Sequence, residues 1–356
     1  MSRVWDIPVH DSTRVRDVHV AAESACALAG LSPHRTAVAA LVATELATNL
    51  LKHAGGGHIM INLVERVPAG ADAVRASVQI LSLDHGPGIT DVTVALGDGY
   101  TTAAAASLGA GLGTCLRISN DFDLYGAPGR GTVAVARIDH EPASRHVPKQ
   151  RPTGPRAGGV NVSLAGAEHS GDAWSWARSG NQVTLMLCDG LGHGVKAAEA
   201  SNAAVQELHR AAHLPPADLL RRLHARLRAT RGAAVAVAQL DADAGQLSFA
   251  GVGNIGARLH TADGWQPFLS HPGIVGAHFP ATVPVQRVRW GSGSLLVLHS
   301  DGLPSRWTPP DDALLLTRDP AVVAAAVLRD AGSDARPVRD DTSVAVLAPD
   351  DRIPHP

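Results

Sequence analysis

A proline-rich, charged segment near the middle of this chain of 356 residues limits the folds that the chain can adopt. Residues 139–157, DHEPASRHVPKQRPTGPRA, contain four prolines and almost no large apolar side chain. This composition is typical of a linker, because proline interrupts helices and strands while charged groups remain in water. The sequence therefore predicts two domains, at residues 1–140 and 157–350, joined by a linker at 141–156.

The composition narrows the class of protein further. Aromatic residues make up only 3% of the chain, so its cores must consist mainly of Ala, Val, Leu and Ile. A formal net charge of −2, without a basic block, argues against nucleic acid as a partner. The three cysteines are far apart, which predicts reduced thiols rather than a disulfide framework or a zinc site. Since neither a signal peptide nor a long apolar run is present, we expect a cytoplasmic protein that contacts no membrane.

Hydrophobic periodicity predicts an α+β fold in both halves. Before the linker, helices are predicted at residues 21–31, 35–54 and 108–121, and strands at 58–63, 77–83 and 132–138. This order suggests helices on one face of a mixed sheet. After the linker, strands are predicted at 160–165, 182–188, 233–241, 246–251, 257–261, 294–299 and 342–347, with helices at 196–212 and 216–228. A sandwich of two sheets with helices packed outside fits this second order.

The helix that contains ELATNLLKHAGGG carries three polar side chains on one stripe. Glu45, Asn49 and Lys52 are spaced by four and three residues, which places them on the same helix face. An amide oxygen suits Mg²⁺, a carboxylate could accept a hydroxyl proton, and a lysine could offset phosphate charge. A solvated polar face is the alternative interpretation of these three residues.

Three glycine-containing segments follow this helix. The first, LSLDHGPGIT, has a carboxylate at a strand end that could accept a hydrogen bond from a base amine, next to glycines that permit close approach: Asp84, Gly86 and Gly88. The second, SLGAGLGTCLRI, opens a helix whose free N–H groups could bind an anion, and it contains Gly109, Gly111 and Gly113. The third, APGRGTVAVARI, starts a strand at Gly131 and Thr132. Each segment alone also fits an ordinary turn.

In this order and spacing, the four segments resemble the nucleotide-binding boxes of the GHKL ATPase superfamily, over roughly residues 10–138. The likeness is greatest to the small serine kinases of the anti-sigma-factor class, of the RsbT type. The resemblance implies a GHKL (Bergerat) α/β sandwich that binds ATP and Mg²⁺. It further implies that Glu45 is the catalytic base, Asn49 the Mg²⁺ ligand and Asp84 the adenine contact. The glycines at 109, 111 and 113 would hold phosphates, Thr132 would support the adenine end, and His53 would belong to the ATP box.

After the linker, aspartates recur beside glycines at the ends of apolar strands. They occur in HSGDAWSW, LMLCDGLGHG, LLVLHSDGL and RDDTSVAVLA, as Asp172, Asp189, Asp301 and Asp340–Asp341. One Asp-Gly pair is usually a turn. Four such positions, however, would converge at one edge of a sandwich and require a counter-charge. Clustered carboxylates suit Mn²⁺ or Mg²⁺, and a pair of these ions can activate water against a phosphoryl group.

This set resembles the PPM (type 2C) phosphatases, and within them the SpoIIE/RsbX-like branch, over about residues 156–348. The resemblance implies an αββα sandwich that binds two Mn²⁺ or Mg²⁺ ions. Asp189 would bridge both ions as the catalytic aspartate, and Gly190 would offer its carbonyl. Three further ligands are implied, Asp172, Asp301 and Asp340. Because Asp341 stands where an Asn is usual, either Asp340 or Asp341 could face the metal, and Asp340 is favoured. Residues 249–259 would form a hairpin that lines the site, and His193 lies either near the phosphate or in a structural loop.

Together the resemblances predict a kinase and phosphatase that act on serine or threonine of a protein partner in a partner-switching or stressosome pathway. The implied substrates are STAS-domain proteins, with a sigma factor or a downstream phosphatase as further partners. The alternative is a phosphatase whose first domain only binds ATP and a sigma-factor or STAS partner. Retention of Glu45 argues against that alternative, because a pure adaptor needs no base. A histidine-kinase fragment is a weaker alternative, since it would need a dimerisation helix and an acceptor histidine.

Overall fold

A computed structural model describes residues 3–66, 75–92, 95, 111–141, 154–304, 306–332 and 340–349. These residues fall into two compact units, one within Val4–Arg151 and one within Pro152–Arg352 that also includes Arg3. Most of the predicted linker lies outside the described residues, so its boundaries stay a prediction. The first strand of the second unit begins at Arg156, the last residue of that predicted linker.

The first unit is one five-stranded sheet with helices on one face. Its strands are β1 (Val4–Val9), β2 (Gly57–Arg66), β3 (Arg75–Leu83), β4 (Asp121–Gly126) and β5 (Thr132–Ile138). They are ordered β1-β2-β3-β5-β4. Every pairing among them is antiparallel, so the prediction of a mixed sheet was wrong. Periodicity within a strand predicts which side is buried, but it contains no information about the direction of the neighbouring strand.

Three of the helices that the structure describes cover this sheet: α1 (Ser12–Ala29), α2 (Pro33–Asn49) and α3 (Gly111–Ile118). The α2 helix begins where the Ser32 side chain accepts a hydrogen bond from the Arg35 N–H and where Pro33 occupies the first turn. It buries Val42 and Leu46 in one hydrophobic cluster with Ile59, Ile61 and Ile80 of the sheet. Predicted as one helix to residue 54, it ends at Asn49 and continues as a π-helical turn, Leu50–Ala54.

The second unit contains two five-stranded antiparallel sheets. The strands are β6 (Arg156–Val162), β7 (Asp172–Ser179), β8 (Gln182–Gly190), β9 (Ala233–Asp241), β10 (Gln246–Val252), β11 (Gly256–Thr261), β12 (Gly264–Phe268), β13 (Gln286–Arg289), β14 (Leu295–His299) and β15 (Thr342–Ala348). One sheet has the order β13-β10-β9-β8-β7, and the other has the order β12-β11-β14-β15-β6. The sheets pack face to face through a buried cluster that includes Leu185, Leu187, Phe249, Leu296 and Leu347.

Helices cover the outer faces of this sandwich. On the first sheet, α4 (Val195–Ala211) and α5 (Pro216–Leu227) bury Leu208, Leu219 and Leu223. After a short helix, α6 (Ala313–Leu316), the helix α7 (Pro320–Ala331) packs against β6 and β15. The predicted α+β class is therefore confirmed, as is the αββα layer order. Among the helices that the structure describes, none is both long enough and apolar enough to cross a bilayer.

Candidate functional site

The aspartates of the second unit meet at one end of the sandwich. Strands β7 and β8 pair with Asp172 directly opposite Asp189. In the other sheet, β14 and β15 are antiparallel neighbours, so the residues after β14 lie beside the residues before β15. Asp301 follows β14, and Asp340 precedes β15. The four aspartates lie far apart in the sequence, and the pairing of strands in both sheets brings them together.

Three of these carboxylates line a cavity of about 410 Å³, namely Asp189, Asp301 and Asp340. Glycines at 192, 253 and 273 form part of its wall and keep it open. Asn254, which sequence reasoning did not single out, also lines the cavity, and its Nδ2 donates to Asp301 Oδ2 at 2.6 Å. This asparagine follows a glycine in the turn between β10 and β11, a position that alone gives no functional signal. The segment 249–259 is not the predicted hairpin, because β10 and β11 belong to different sheets.

Electrostatic repulsion is concentrated in this cluster. Burial, and then the charges of Asp301, Asp340 and Asp341, raise the pKa of Asp189 to about 7. Burial, and then Asp189, raise the pKa of Asp172 well above its usual value, against a lowering by the nearby Ser300 hydroxyl. The pKa of Asp301 is also raised by burial and by Asp340. Carboxylates in such an arrangement ionise together only when a positive charge is supplied.

The donor set fits hydrated divalent cations. Asp172 is 0% exposed, and neither of its carboxylate oxygens makes a hydrogen bond of good geometry to a residue that the structure describes. Polar atoms buried in this way are uncommon, and a cation would satisfy them. Within the described part of the chain, no three His, Cys, Asp or Glu side chains already surround one ion position. Mg²⁺ usually keeps several of its waters and needs only one or two carboxylates, so a looser cluster suffices.

Gly190 lies directly beside Asp189, where a side chain would not fit. A Cβ atom built on Gly190 would overlap the carbonyl oxygen of Ala197 in the first turn of α4. The Gly190 N–H donates to the Gly171 carbonyl at 3.1 Å, which ties β8 to the loop before Asp172. The predicted role of the Gly190 carbonyl as a metal ligand stays a prediction, as do the ligand roles of the four aspartates.

Asp340 and Asp341 occupy different environments. The Asp341 side chain is buried, and its two oxygens accept the N–H groups of Leu164 and Gly171 at 2.7 and 2.6 Å. The Asp340 side chain is exposed and lines the cavity, and the one donor to it among the described residues is the Asp341 N–H at 2.8 Å. This geometry favours Asp340 for binding an ion and gives Asp341 the structural task of holding the loop beside Asp172.

In the first unit, the structure brings Glu45 and Asn49 of α2 against the start of α3. A Cβ atom built on Gly111 would lie 2.9 Å from Glu45 Oε2 and 3.5 Å from both Asn49 side-chain polar atoms. Burial, and then the Glu45 carboxylate, raise the pKa of Cys115 in α3 to about 12. The Asn49 Nδ2 atom is buried and has no hydrogen-bond partner among the described residues. Glu45, Asn49 and Gly111 therefore form one compact polar site.

The predicted stripe does not extend unchanged to Lys52. A π-helical turn starts at Leu50 and ends where Gly55 adopts a φ of 74°. A π turn rotates less per residue than an α-helix does. The residues after Asn49 therefore do not continue the helix face that carries Glu45 and Asn49. Lys52 is exposed on this turn, and His53 is half-buried with a pKa lowered by burial and by Lys52. Lys52 therefore does not share the enclosed environment of Glu45 and Asn49.

Asp84 organises a second group of the predicted residues. Its Oδ1 accepts the Gly86 N–H at 2.8 Å and the Thr132 N–H at 3.1 Å. Gly86 packs on Ala54, the last residue of the π turn, and a Cβ atom on Gly88 would overlap the Ala127 carbonyl. These contacts join the π turn after α2, the Asp84 loop and the start of β5. Gly113 is buried in α3, whereas Gly109 lies outside the described residues.

Comparisons with known proteins find similarity for separate parts of the chain. Residues 179–349 match the family model "Stage II sporulation protein E (SpoIIE)". A stretch of 89 residues, 25% of this chain, is 37% identical to the serine/threonine-protein kinase RsbT of Bacillus subtilis (strain 168) and covers 61% of it. The chain thus spans less than two thirds of the length of RsbT. The C-terminal region is therefore similar to the SpoIIE family over residues 179–349, and the N-terminal region is similar to RsbT.

Solved structures with similar folds include three whose descriptions name related systems. One chain, from the bacterial stressosome, is 28% identical with a TM-score of 0.48 and covers 54% of this chain and 98% of its own. RsbX in complex with magnesium is 20% identical with a TM-score of 0.47, covering 55% and 96%. The PP2C phosphatase domain with a regulatory fragment of SpoIIE from Bacillus subtilis is 16% identical with a TM-score of 0.47, covering 78% and 80%.

Proposed function

We propose that this chain is a bifunctional regulator, a metal-dependent phosphoserine/phosphothreonine phosphatase joined to an ATP-dependent serine/threonine kinase. The observation that carries the proposal is the cavity on which Asp189, Asp301 and Asp340 converge in the SpoIIE-type domain. The Glu45, Asn49 and Gly111 site supports the kinase half. The proposed substrates are STAS-domain proteins of a partner-switching or stressosome pathway, by analogy with RsbT and with the stressosome chain.

In the phosphatase half, each residue has a separate task. Asp189, Asp301, Asp340 and the Gly190 carbonyl would hold the ions, with Asp172 behind them. When bound, a pair of such ions supplies Lewis-acid chemistry and activates water toward a phosphoryl group. Asn254 fixes the orientation of the Asp301 carboxylate through its 2.6 Å hydrogen bond. Asp341 holds the Gly171 backbone, and therefore Asp172, in place.

In the kinase half, adenine binding and proton transfer would be carried by different elements. Asp84 and the glycines around it would bind the adenine, and Asn49 would hold Mg²⁺ through its side-chain oxygen. Glu45 would accept the proton of the attacking serine or threonine hydroxyl as the γ-phosphoryl group is transferred in line. Because Gly111 has no side chain, the start of α3 can lie close to Glu45 and Asn49. The alternative, an N-terminal domain that binds ATP and a partner without transferring phosphate, leaves Glu45 without a role.

The test incubates the full chain with a STAS-domain protein and γ-labelled ATP, with and without Mn²⁺, and follows the label on the partner. Asp189→Asn should accumulate the phosphorylated partner, because only dephosphorylation is blocked. Glu45→Ala should produce no labelled partner while still removing phosphate from a partner phosphorylated beforehand. Asp263→Asn, an exposed aspartate in the turn between β11 and β12, is the matched control and should behave as wild type.

The phosphatase and the kinase parts of the proposal would be contradicted by different results. Wild-type dephosphorylation by Asp189→Asn, or full dephosphorylation in EDTA, would contradict the two-metal phosphatase. Bound ATP without any label on the partner, in Asp189→Asn as well as in wild type, would contradict the kinase. That second result would favour the ATP-binding adaptor.

A further inference from the structure

An arginine lies at the edge of the aspartate cavity, on an element that carries none of the predicted ligands. Arg231 precedes Gly232 and the first residue of β9, Ala233. The register of β8 and β9 places Ala233 opposite Gly190 and Ala234 opposite Asp189. The Leu191 N–H continues this pairing by donating to the Gly232 carbonyl at 3.0 Å. Arg231 is thus fixed at the end of β9 that lies beside Asp189.

The side chain of Arg231 extends toward the cavity wall. A Cβ atom built on Gly192, a lining residue, would lie 3.1 Å from Arg231 Nη1. Gly192 has a φ of 86°, in the left-handed region that favours glycine. The guanidinium group therefore lies against a wall residue that has no side chain to separate it from the cavity.

The guanidinium is also available to bind a ligand. Arg231 is exposed, and it makes no hydrogen bond or ion pair with any residue that the structure describes. The ionisable side chains that line the cavity are all aspartates, Asp189, Asp301 and Asp340. Arg231 therefore places an unpaired positive charge beside a cavity whose described ionisable lining is entirely acidic.

We propose that Arg231 binds the phosphoryl group of the substrate beside the Gly192 wall of the cavity and selects phosphomonoesters there. This inference rests on the phosphatase activity proposed above and names a residue that recognises its substrate. A guanidinium group presents paired N–H donors that match two oxygens of a phosphate, and it remains charged at every physiological pH. A phosphoserine that enters the cavity directs some of its oxygens inward, and its outer oxygens then face Arg231.

The test measures a phosphoserine peptide with the full chain in saturating Mn²⁺. Arg231→Ala should lower kcat/KM about tenfold, in line with the loss of a charge-assisted contact at a partly exposed position. The inhibition constant of inorganic phosphate should rise by a similar factor, because this probe contains only the group that Arg231 recognises. Arg231→Lys should restore part of both effects, since lysine keeps the charge but loses the paired donors.

Arg226→Ala removes the same charge from an exposed position in the last turn of α5 and is the matched control. It should match wild type in kcat/KM and in phosphate inhibition. The midpoint of Mn²⁺ activation and the thermal unfolding temperature should be equal in wild type and both alanine variants.

Identical kinetics for Arg231→Ala and Arg226→Ala would overturn the assignment of Arg231. A fall in kcat/KM without weaker phosphate inhibition, or a shifted Mn²⁺ midpoint, would overturn it as well. None of these results affects the phosphatase proposal, which fails instead if Asp189→Asn retains turnover.

Discussion

The neighbouring aspartates at 340 and 341 offer a sharp test, because the structure gives them opposite roles. Asp341 is buried and accepts two backbone N–H groups, from Leu164 and Gly171. In Asp341→Asn, the side-chain oxygen can still accept one of these two N–H groups. The side-chain NH₂ group faces the other N–H and cannot accept a hydrogen bond from it. One charge-assisted bond is lost and one buried donor is left unsatisfied, so unfolding should become easier by about 2–3 kcal/mol. Asp340→Asn keeps an acceptor for the Asp341 N–H and is exposed, so its stability should change by less than about 0.5 kcal/mol.

Urea unfolding in EDTA, followed by tryptophan fluorescence, measures this difference in the relevant domain. Five of the six tryptophans lie after the linker, at positions 174, 176, 265, 290 and 307. Asp341→Asn should lower the urea midpoint, and Asp340→Asn should leave it at the wild-type value. The Mn²⁺-dependent phosphatase should respond in the opposite order, with Asp340→Asn inactive at all Mn²⁺ concentrations and Asp341→Asn active while folded. Equal midpoints for the two variants, or an active Asp340→Asn, would refute the assignment of roles.

Four further predictions concern pH, the nucleotide site and the linker. The pKa of Asp189 is raised to about 7, so between about pH 4 and pH 7 the metal-free folded protein holds a proton that the unfolded chain releases. The unfolding temperature in EDTA should therefore fall as the pH rises from about 4 to about 7. Excess Mn²⁺ should remove that fall, and a flat profile in EDTA would contradict it. Asp84→Asn should weaken ATP binding in calorimetry, while Glu45→Ala should bind ATP normally and transfer little phosphate; equal losses of binding would contradict this division. Gly111→Ala would bring a methyl group to 2.9 Å from Glu45 Oε2 and should reduce phosphate transfer more than thermal stability, with Gly291→Ala, in open space, as control. Limited trypsin should cut first within residues 139–157 and release two folded fragments, whereas a first cut inside 36–54 or 182–190 would indicate one merged core.

The sequence was sufficient to locate most strands, because their apolar runs are long and bounded by turns. The strands Thr132–Ile138 and Ala233–Asp241 have the predicted bounds. The helix α7 was missed because nearly all of its residues are buried, so it lacks the polar face that reveals helical periodicity. The strand β7 was missed as well, since DAWSWARS offers only a short alternation next to the aspartate.

The sequence did not determine which strands pair with each other or in which register they pair. The hairpin predicted at residues 249–259 is instead a crossing between the two sheets, and its turn carries Asn254 to the cavity. The relevance of Arg231 depends on the register of β8 and β9, which no local pattern encodes. The choice between Asp340 and Asp341 depends on which side of the chain faces inward at the start of β15. Consecutive residues near a strand point to opposite sides, so two adjacent aspartates acquire opposite environments.

In the aspartate cluster, the residues that we propose for function lower the stability of the fold. In the rest of the second unit, the two cores are built from aliphatic side chains with few polar atoms. At one end of the sandwich, the same strands bury or half-bury carboxylates whose charges raise each other's pKa. Such an arrangement lowers the stability of the metal-free protein, and backbone hydrogen bonds to Asp341 are needed to keep it in place. A cluster that destabilises the fold and is still held by dedicated contacts is typical of a site retained for chemistry. For this reason, the proposed site rests more on the aspartates than on the fold of this domain.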